Sequence, residues 1–363
     1  MARFLRRLST NTNRKTIRLR LSKQPAKRIR LLKEGFWEDT AIYERPDGQH
    51  IVRKASKPTD QPGPWALETL RREILYLVNL PPSATELFPP LLDAWGHTEG
   101  NESNDIGYEI PYFQDHVSVS ERIASSPPSQ QEAAAFQDAL GIALFDRLHV
   151  PTPAQESISE HVDSTISDAI ERLSRLDAFH PVIERDSIHI NDREVPGLRR
   201  LWTGVSSKDL DALPCVLLHG DLILENILCS SKDNQWWKDL VLIDPVSVAG
   251  ISRGPALFDL VKYESYATGE LIAIRSEQCE ANEAARGSYQ FTWKPMLPYT
   301  DGKWHADLRQ RYESIYGPLN PALYSRLEAY FSLVMAVNTK GTQQWARVLK
   351  GTLALAESLH VIT

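Results

Sequence analysis

The chain has 363 residues, 42% of them hydrophobic and 24% charged, which is a globular composition long enough for one large two-part unit or two domains. No run approaches the roughly 18 apolar residues of a membrane-spanning helix, and the first residues lack the apolar core of a secretory signal. Residues 1–30 hold 11 of the 41 Lys and Arg and no acid, leaving 30 basic against 47 acidic groups in the rest, a net charge of −17. A body this acidic argues against nucleic acid as a partner and suits a cationic substrate.

The basic arm over 1–30 also carries Ser and Thr. It reads as a solvated tail or first strand, with an organelle presequence as the alternative. Cys215, Cys229 and Cys279 are odd in number and lack metal-type spacing. They fit a reducing compartment, so the expected location is the cytoplasm.

After the arm, Thr40–Tyr43 and Gln49–Ala55 predict two strands around the turn sequence Arg45-Pro46-Asp47-Gly48. Trp65–Leu80 predicts an amphipathic helix stopped by Pro81-Pro82, and Gly107–Phe113 is β-like after a polar loop. From about residue 128 the pattern turns helical, over Gln130–Leu148, His161–Leu176 and a tail from Ala322 to His360. Short apolar runs at Cys215–Leu218 and Leu240–Ile243 predict strands.

Those two runs bracket the informative stretch. His219-Gly220-Asp221 follows the first, Asn226 stands five residues after Asp221, and Asp244 leaves the second, eighteen residues after Asn226. Phosphoryl transfer asks little of a protein: one carboxylate to orient the attacking hydroxyl, and oxygen ligands to hold Mg²⁺ against the phosphates. An Asp-x4-Asn loop and a strand-end Asp supply those groups.

His219-Gly220-Asp221-x4-Asn226 resembles the catalytic loop of the aminoglycoside phosphotransferases and their relatives. Ile243-Asp244-Pro245 is similar to the metal-binding segment of the streptomycin- and hydroxyurea-kinase branch, and Gly254-Pro255-Ala256-x2-Asp259-Leu260 to a further family segment. The resemblance implies an α+β, bilobal, protein-kinase-like fold. Its small β-rich N-lobe with one helix would span 31–115, and its larger helical C-lobe 116–363. It implies Asp221 as catalytic base, Asn226 and Asp244 as Mg²⁺ ligands, and His219 and Asp259 as structural support. Ile223 departs from the usual His or Trp, Glu225 from the usual Gly, and Ser252-Arg253 precedes Gly254 without the family's next Asp. None of these touches the three chemical positions.

The resemblance also demands a strand Lys and a helix Glu that fixes it against the α- and β-phosphates. Alternation along Gln49–Ala55 puts Val52 and Lys54 on one face and Ile51 and Arg53 on the other, so Lys54 is the expected residue and Arg53 its competitor. At about 100° per residue, with Ala66 as zero, Leu70, Ile74 and Leu67 fall at about 40°, 80° and 100°, Glu73 at about −20° and Glu68 at about 200°. A carboxylate inside an apolar arc needs a partner, which makes Glu73 the match for Lys54. Gly35, in Glu34–Thr40, would sit in the loop over the phosphates. Glu109-Ile110-Pro111-Tyr112 would supply adenine hydrogen bonds from the backbone of the connector.

The implied activity is transfer of phosphate from ATP, with GTP as the alternative, to a hydroxyl of an aminoglycoside, amino-sugar or related metabolite. Glu264, Glu270, Asp301, Asp307 and Glu313 are candidate holders of its ammonium groups, and Tyr263, Tyr266, Trp293 and Trp304 candidate stacking rings. Neither a nucleic acid nor a membrane is expected as partner. Two other readings stand beside this one, a non-catalytic nucleotide-binding pseudokinase and a protein-directed kinase. The second lacks its Ala-Pro-Glu sequence downstream of Asp244.

Overall fold

A computed structural model describes residues 19–20, 25–34, 38–57, 64–96, 105–153, 157–246, 251–294, 298–299 and 303–359. The chain is α+β and divides into two compact units, Met1–Gln114 and Asp115–Thr363. No described helix is long and apolar enough to cross a membrane.

The first unit is a six-stranded sheet with one long helix. Its strands are β1 (Leu19–Arg20), β2 (Lys27–Glu34), β3 (Glu38–Glu44), β4 (His50–Ser56), β5 (Asp93–Trp95) and β6 (Gly107–Pro111), in the order β1-β5-β6-β4-β3-β2. The β3–β4 hairpin forms where alternation and the Pro-Asp-Gly turn require it. Gly48 takes φ +82°, and its N–H donates to the Arg45 carbonyl at 2.9 Å. In register, Thr40 faces Lys54 and Ile42 faces Val52.

Helix α1 (Pro64–Val78) packs Leu67, Leu70 and Ile74 onto Ala94, Ile106, Tyr108 and Ile110. It stops two residues before the expected Leu80, because a residue preceding proline is pushed out of helical geometry. Strand β2 begins inside the basic arm, so residues 27–30 are paired chain and not tail. Every side chain of β2 is exposed, so its sequence shows no buried alternation.

The second unit holds most of the helices. In order they are α2 (Val119–Ser125), α3 (Gln130–Gly141, continuing as a π-helix over Ile142–Leu148), α4 (Ile158–Ser174), α5 (His180–Glu184), α6 (Leu198–Thr203), α7 (Leu257–Ala267), α8 (Glu270–Arg275), α9 (Ala306–Tyr316), α10 (Pro321–Ala336) and α11 (Gly341–Ser358). Ser118 with Glu121 and Ser129 with Glu132 form capping boxes that start α2 and α3. The helical tail is made of two helices, interrupted between Ala336 and Gly341.

Three small sheets accompany these helices. Strands β7 (His116–Ser118), β11 (Ile227–Ser230) and β12 (Val241–Leu242) form one, and β10 (Cys215–Leu217) pairs with β13 (Arg253–Pro255). The third is a four-stranded sheet of β8 (Ser187–Ile190), β9 (Arg193–Pro196), β14 (Cys279–Ala285) and β15 (Ser288–Trp293), four segments for which the sequence reading named no strands. Its hairpins turn on Asn191-Asp192, at φ +52° and +63°, and on Arg286-Gly287. Two successive positive φ values are the hairpin geometry of short loops, but Asn-Asp signals it less clearly than Asn-Gly.

Candidate functional site

In the first unit, strand alternation and helix phase meet at one ion pair. Lys54 Nζ donates to Glu73 Oε1 at 2.8 Å, and Tyr108 Oη donates to Glu73 Oε2 at 3.0 Å. Glu73 is fully buried within the apolar face of α1, whereas Glu68 lies exposed and pairs with Arg72 along the helix. A buried carboxylate survives only with its lone pairs occupied, and Lys54 and Tyr108 occupy both oxygens.

Arg53 points to the opposite face of β4. There its guanidinium binds Glu109 Oε1 at 2.9 Å from Nε and lies 4.5 Å from the Tyr43 ring. Arg45 holds the other oxygen of Glu109, at 3.0 Å from Nε. Glu109 is thereby engaged at both carboxylate oxygens. It sits inside β6 between β4 and β5, and its carbonyl already accepts from the Leu92 N–H at 2.8 Å. Pro111 closes β6 opposite Ile51. Gly35 lies outside the described residues.

In the second unit the predicted loop is assembled by two sheets. Antiparallel pairing of β10 with β13 sets Leu217 against Arg253, and α7, which follows β13, places Asp259 against the loop after β10. Pairing of β11 with β12 sets Ile227 against Leu242 and brings Asn226 beside Ile243, whose N–H donates to the Asn226 carbonyl at 3.0 Å. His219, Asp221, Asn226, Asp244 and Asp259 therefore gather on connected segments.

Asp259, in the first turn of α7, ties the loop down. Its Oδ2 accepts from the His219 N–H at 2.8 Å and from His149 Nε2 at 3.0 Å, and its Oδ1 accepts from the Gly220 N–H at 2.9 Å. Burial works to raise its pKa, but the hydrogen bonds from His149 and the Gly220 N–H hold it below the ordinary value. Gly220 takes φ +82°, and a Cβ there would collide with the Ile251 carbonyl oxygen. Only glycine fits.

His219 is fully buried. Its Nδ1 accepts from the Asp221 N–H at 3.3 Å, which assigns the proton to Nε2, and Nε2 donates to the Ile243 carbonyl at 3.0 Å. Burial keeps the ring's pKa below its usual value against the opposing charges of Asp259 and Asp221, so the imidazole is neutral. The ring thereby ties the loop to the segment carrying Asp244.

That segment is strained. Asp244 and Val246 both take positive φ, +51° and +64°, and for a β-branched valine this costs about 1–3 kcal/mol. The Val246 N–H donates to the His219 carbonyl at 2.7 Å, one of the contacts that holds the turn.

Asn226 Nδ2 donates to the Asp221 carbonyl at 2.9 Å and to Asp221 Oδ2 at 3.2 Å, which leaves the Asn226 Oδ1 acceptor to serve as a metal ligand. Asn226 Oδ1 and the half-buried Asp244 carboxylate are hard oxygen ligands on adjoining segments. Among the described residues no three His, Cys, Asp or Glu side chains cluster as a full metal cage. Two protein oxygens fit Mg²⁺, which keeps waters and takes its other ligands from phosphates.

Sequence reasoning missed Lys262. It is buried, its Nζ lies 3.1 Å from Asp221 Oδ1, and it stands 5.1 Å from the Phe331 ring centre. The signal was present, since Lys262 follows Asp259 by three residues and shares its face of α7. Glu225, the unusual residue of the loop, accepts from Tyr266 Oη and from Arg275, each at 2.7 Å.

Four of the five acidic residues expected to hold ammonium groups make contacts within the chain. Glu264 is fully buried and accepts from Arg309 Nε at 2.9 Å and Tyr324 Oη at 2.6 Å, and Glu270 pairs with Lys350. Glu313 accepts from the Leu319 N–H, Asp307 carries a long 3.5 Å contact from Gln137, and Asp301 lies outside the described residues. Tyr263, Tyr266 and Trp304 are buried in the core.

No family model and no curated protein matches the chain. Among solved structures it is similar to a microcompartment-associated aminopropanol kinase, at 12% identity over 94% of each chain with a TM-score of 0.44. It is also similar to an amicoumacin kinase in complex with AMP-PNP, Ca²⁺ and Ami, at 10% identity over 98% of this chain and 93% of that one, TM-score 0.43. A third is a glucosamine kinase in complex with glucosamine, ADP and inorganic phosphate, at 12% identity over 92% of this chain and 94% of that one, TM-score 0.41.

Proposed function

We propose that this chain is a small-molecule kinase that transfers the γ-phosphoryl group of ATP, or GTP, to a substrate hydroxyl. The observation that carries this reading is the buried cluster of Asp221, Asn226 and Lys262, braced by Asp259 and joined through His219 to the strained turn at Asp244. It follows the aminoglycoside-phosphotransferase motif at every chemical position.

Asp221 orients the acceptor hydroxyl and takes its proton as the new bond to phosphorus forms. The amide of Asn226 holds the Asp221 carboxylate in place. Lys262 offers a fixed positive charge beside Asp221, where negative charge gathers during transfer. Asn226 Oδ1 and Asp244 would hold Mg²⁺, which when bound neutralises phosphate charge. Lys54, kept in position by Glu73, serves the α- and β-phosphates, and the loop around Gly35 and the backbone near Pro111 serve the rest of the nucleotide. Glu109 drops out of that set, because its carboxylate and carbonyl are already engaged. A cytoplasmic setting belongs to the same reading, and all three cysteines are free thiols.

The test is triphosphate consumption by the purified chain across a panel of hydroxylated metabolites, with mass spectrometry of the product and Asp221→Asn as control. Phosphorylation of a small molecule that Asp221→Asn abolishes supports the reading. Nucleotide binding without turnover on any acceptor points to a pseudokinase. Phosphorylation confined to added polypeptides points to a protein-directed kinase.

A further inference from the structure

A cleft of about 490 Å³, counting its open mouth, lies within the second unit between α7, α8, α10 and α11. Lys262 lines it, so the cleft begins at the side chain that touches Asp221. Its other charged lining residues are Glu270, Arg275, Glu328, Arg347 and Lys350. Cations outnumber acids there, four to two, although residues 31–363 as a whole are strongly acidic.

Pairing removes most of these charges from consideration. Lys262 faces Asp221, and Arg275 binds Glu225 at 2.7 Å. Lys350 pairs with Glu270 and lies 3.6 Å from Glu328. Arg347 is the exception. It is 5% exposed, it forms no ion pair among the described residues, and its Nε has no hydrogen-bond partner there. Burying an unpaired guanidinium is expensive, and an anionic ligand would relieve that cost. Burial and then the like charge of Arg275 lower the Arg347 pKa to about 10 against the opposing charge of Glu270. Ser265 and Ser332 add hydroxyls to the same wall, and Phe331 and Met335 add apolar surface.

We propose that Arg347 receives an oxyanion, a carboxylate or phosphate monoester, carried by the acceptor molecule. The substrate of this kinase is then a hydroxylated acid and not an amine. This deepens the proposed function and rests on it for the word substrate, although anion binding at Arg347 stands independently of turnover. The guanidinium fork matches a carboxylate or phosphate edge with two parallel N–H donors, which a lysine does not offer. Glu270 pairs with Lys350, and the same ammonium stands 3.6 Å from Glu328, so an ammonium group entering the cleft would compete with Lys350 for either carboxylate. The acidic body of the chain thus misleads about its substrate.

The experiment uses the full-length chain and its Arg347→Met and Arg347→Lys variants, with gluconate, glucose 6-phosphate, glucose and glucosamine as probes at equal ionic strength. Thermal shift reads binding, and triphosphate consumption reads turnover. Wild type should be stabilised by one of the two anions and not by glucose or glucosamine, since ligand binding to the native state raises its stability by mass action. Arg347→Met should weaken that binding by about tenfold or more, with Arg347→Lys intermediate. Without ligand, Arg347→Met should melt at or above the wild-type temperature, because it removes an unpaired buried charge. A merely structural arginine would instead lower it.

Anion binding that survives Arg347→Met unchanged overturns the proposal, as does the absence of any anion effect on wild type. Turnover on glucosamine or glucose that ignores Arg347 overturns it while leaving the kinase reading intact. Anion binding through Arg347 with no triphosphate consumption upholds the site and sinks the kinase reading.

Discussion

Lys262 Nζ stands 3.1 Å from Asp221 Oδ1 while Asn226 Nδ2 holds Asp221 Oδ2 at 3.2 Å, so the two oxygens of one buried carboxylate are separately engaged. A carboxylate hydrogen-bonded at one oxygen and facing an ammonium at the other is restrained in its orientation, which suits a group that must align a nucleophile.

Replacing Lys262 with Met should lower kcat by about 10²–10³ while the KM for nucleotide changes by less than about threefold. Lys262→Arg should recover part of the loss. Steady-state kinetics with the identified acceptor check this. A Lys262→Met enzyme of normal kcat would show that the ion pair only stabilises the fold.

Asp221→Asn should lower kcat by about 10²–10⁴ and leave nucleotide affinity, measured by calorimetry, nearly unchanged. The amide keeps the shape of the side chain but cannot accept the hydroxyl proton. Retention of more than about a tenth of wild-type kcat would remove Asp221 from its assigned role.

The Lys54–Glu73 pair calls for a double-mutant cycle. Breaking one partner of a buried pair costs about 3–5 kcal/mol because the other charge is stranded. Lys54→Ala and Glu73→Gln should each impair kcat/KM for nucleotide, and the double variant should be little worse than either. Glu68→Gln, on the solvent side of α1, should stay within about 0.5 kcal/mol of wild type in stability and keep its kinetics. Strictly additive losses in the cycle would mean that the two side chains act separately.

Asp259 and Asp244 should separate cleanly by what their loss damages. Asp259→Ala leaves the His219 and Gly220 N–H groups without an acceptor and should cost about 3–5 kcal/mol of stability. The folded-state pKa of Asp259 is depressed from its ordinary value of 3.8, so its contribution is complete above 3.8 and is lost as pH falls through the folded value. The difference in urea midpoint between wild type and Asp259→Ala should therefore be flat from about pH 7 to 5 and shrink below about 4. Asp244→Asn, whose side chain tolerates the positive φ, should keep its stability. It should raise the Mg²⁺ concentration needed for half-maximal rate by about tenfold or more. Equal stability losses in the two variants would contradict this division.

Local chemistry made much of this readable in advance. The β3–β4 hairpin, α1 and the opposite facing of Lys54 and Arg53 follow from periods of two and of about 3.6 residues, which neighbours in the chain enforce on one another. The same arithmetic put Glu73 inside the apolar arc and Glu68 outside it. The Asp221, Asn226 and Asp244 spacing was equally plain, because a strand, a loop and a second strand each leave a local pattern. Strand β5 was not legible, being three residues long and buried throughout. Nor was the four-stranded sheet of the second unit, whose short strands are specified by partners about a hundred residues away and by an Asn-Asp turn of weak signal.

Partnership between distant charges is what only the tertiary structure decided. Sequence counts acids and bases along the chain, and by that count Glu264 and Glu270 looked ready to receive a cation. Folding sets Arg309 and Lys350 against them, and their charges are spent internally. The same packing delivers Lys262 to Asp221 and leaves Arg347 buried without a partner among the described residues. The physical reason is range. Helix and strand periodicity is set by neighbours a few bonds apart, whereas desolvation and pairing of a charge depend on which surfaces of remote segments close over it.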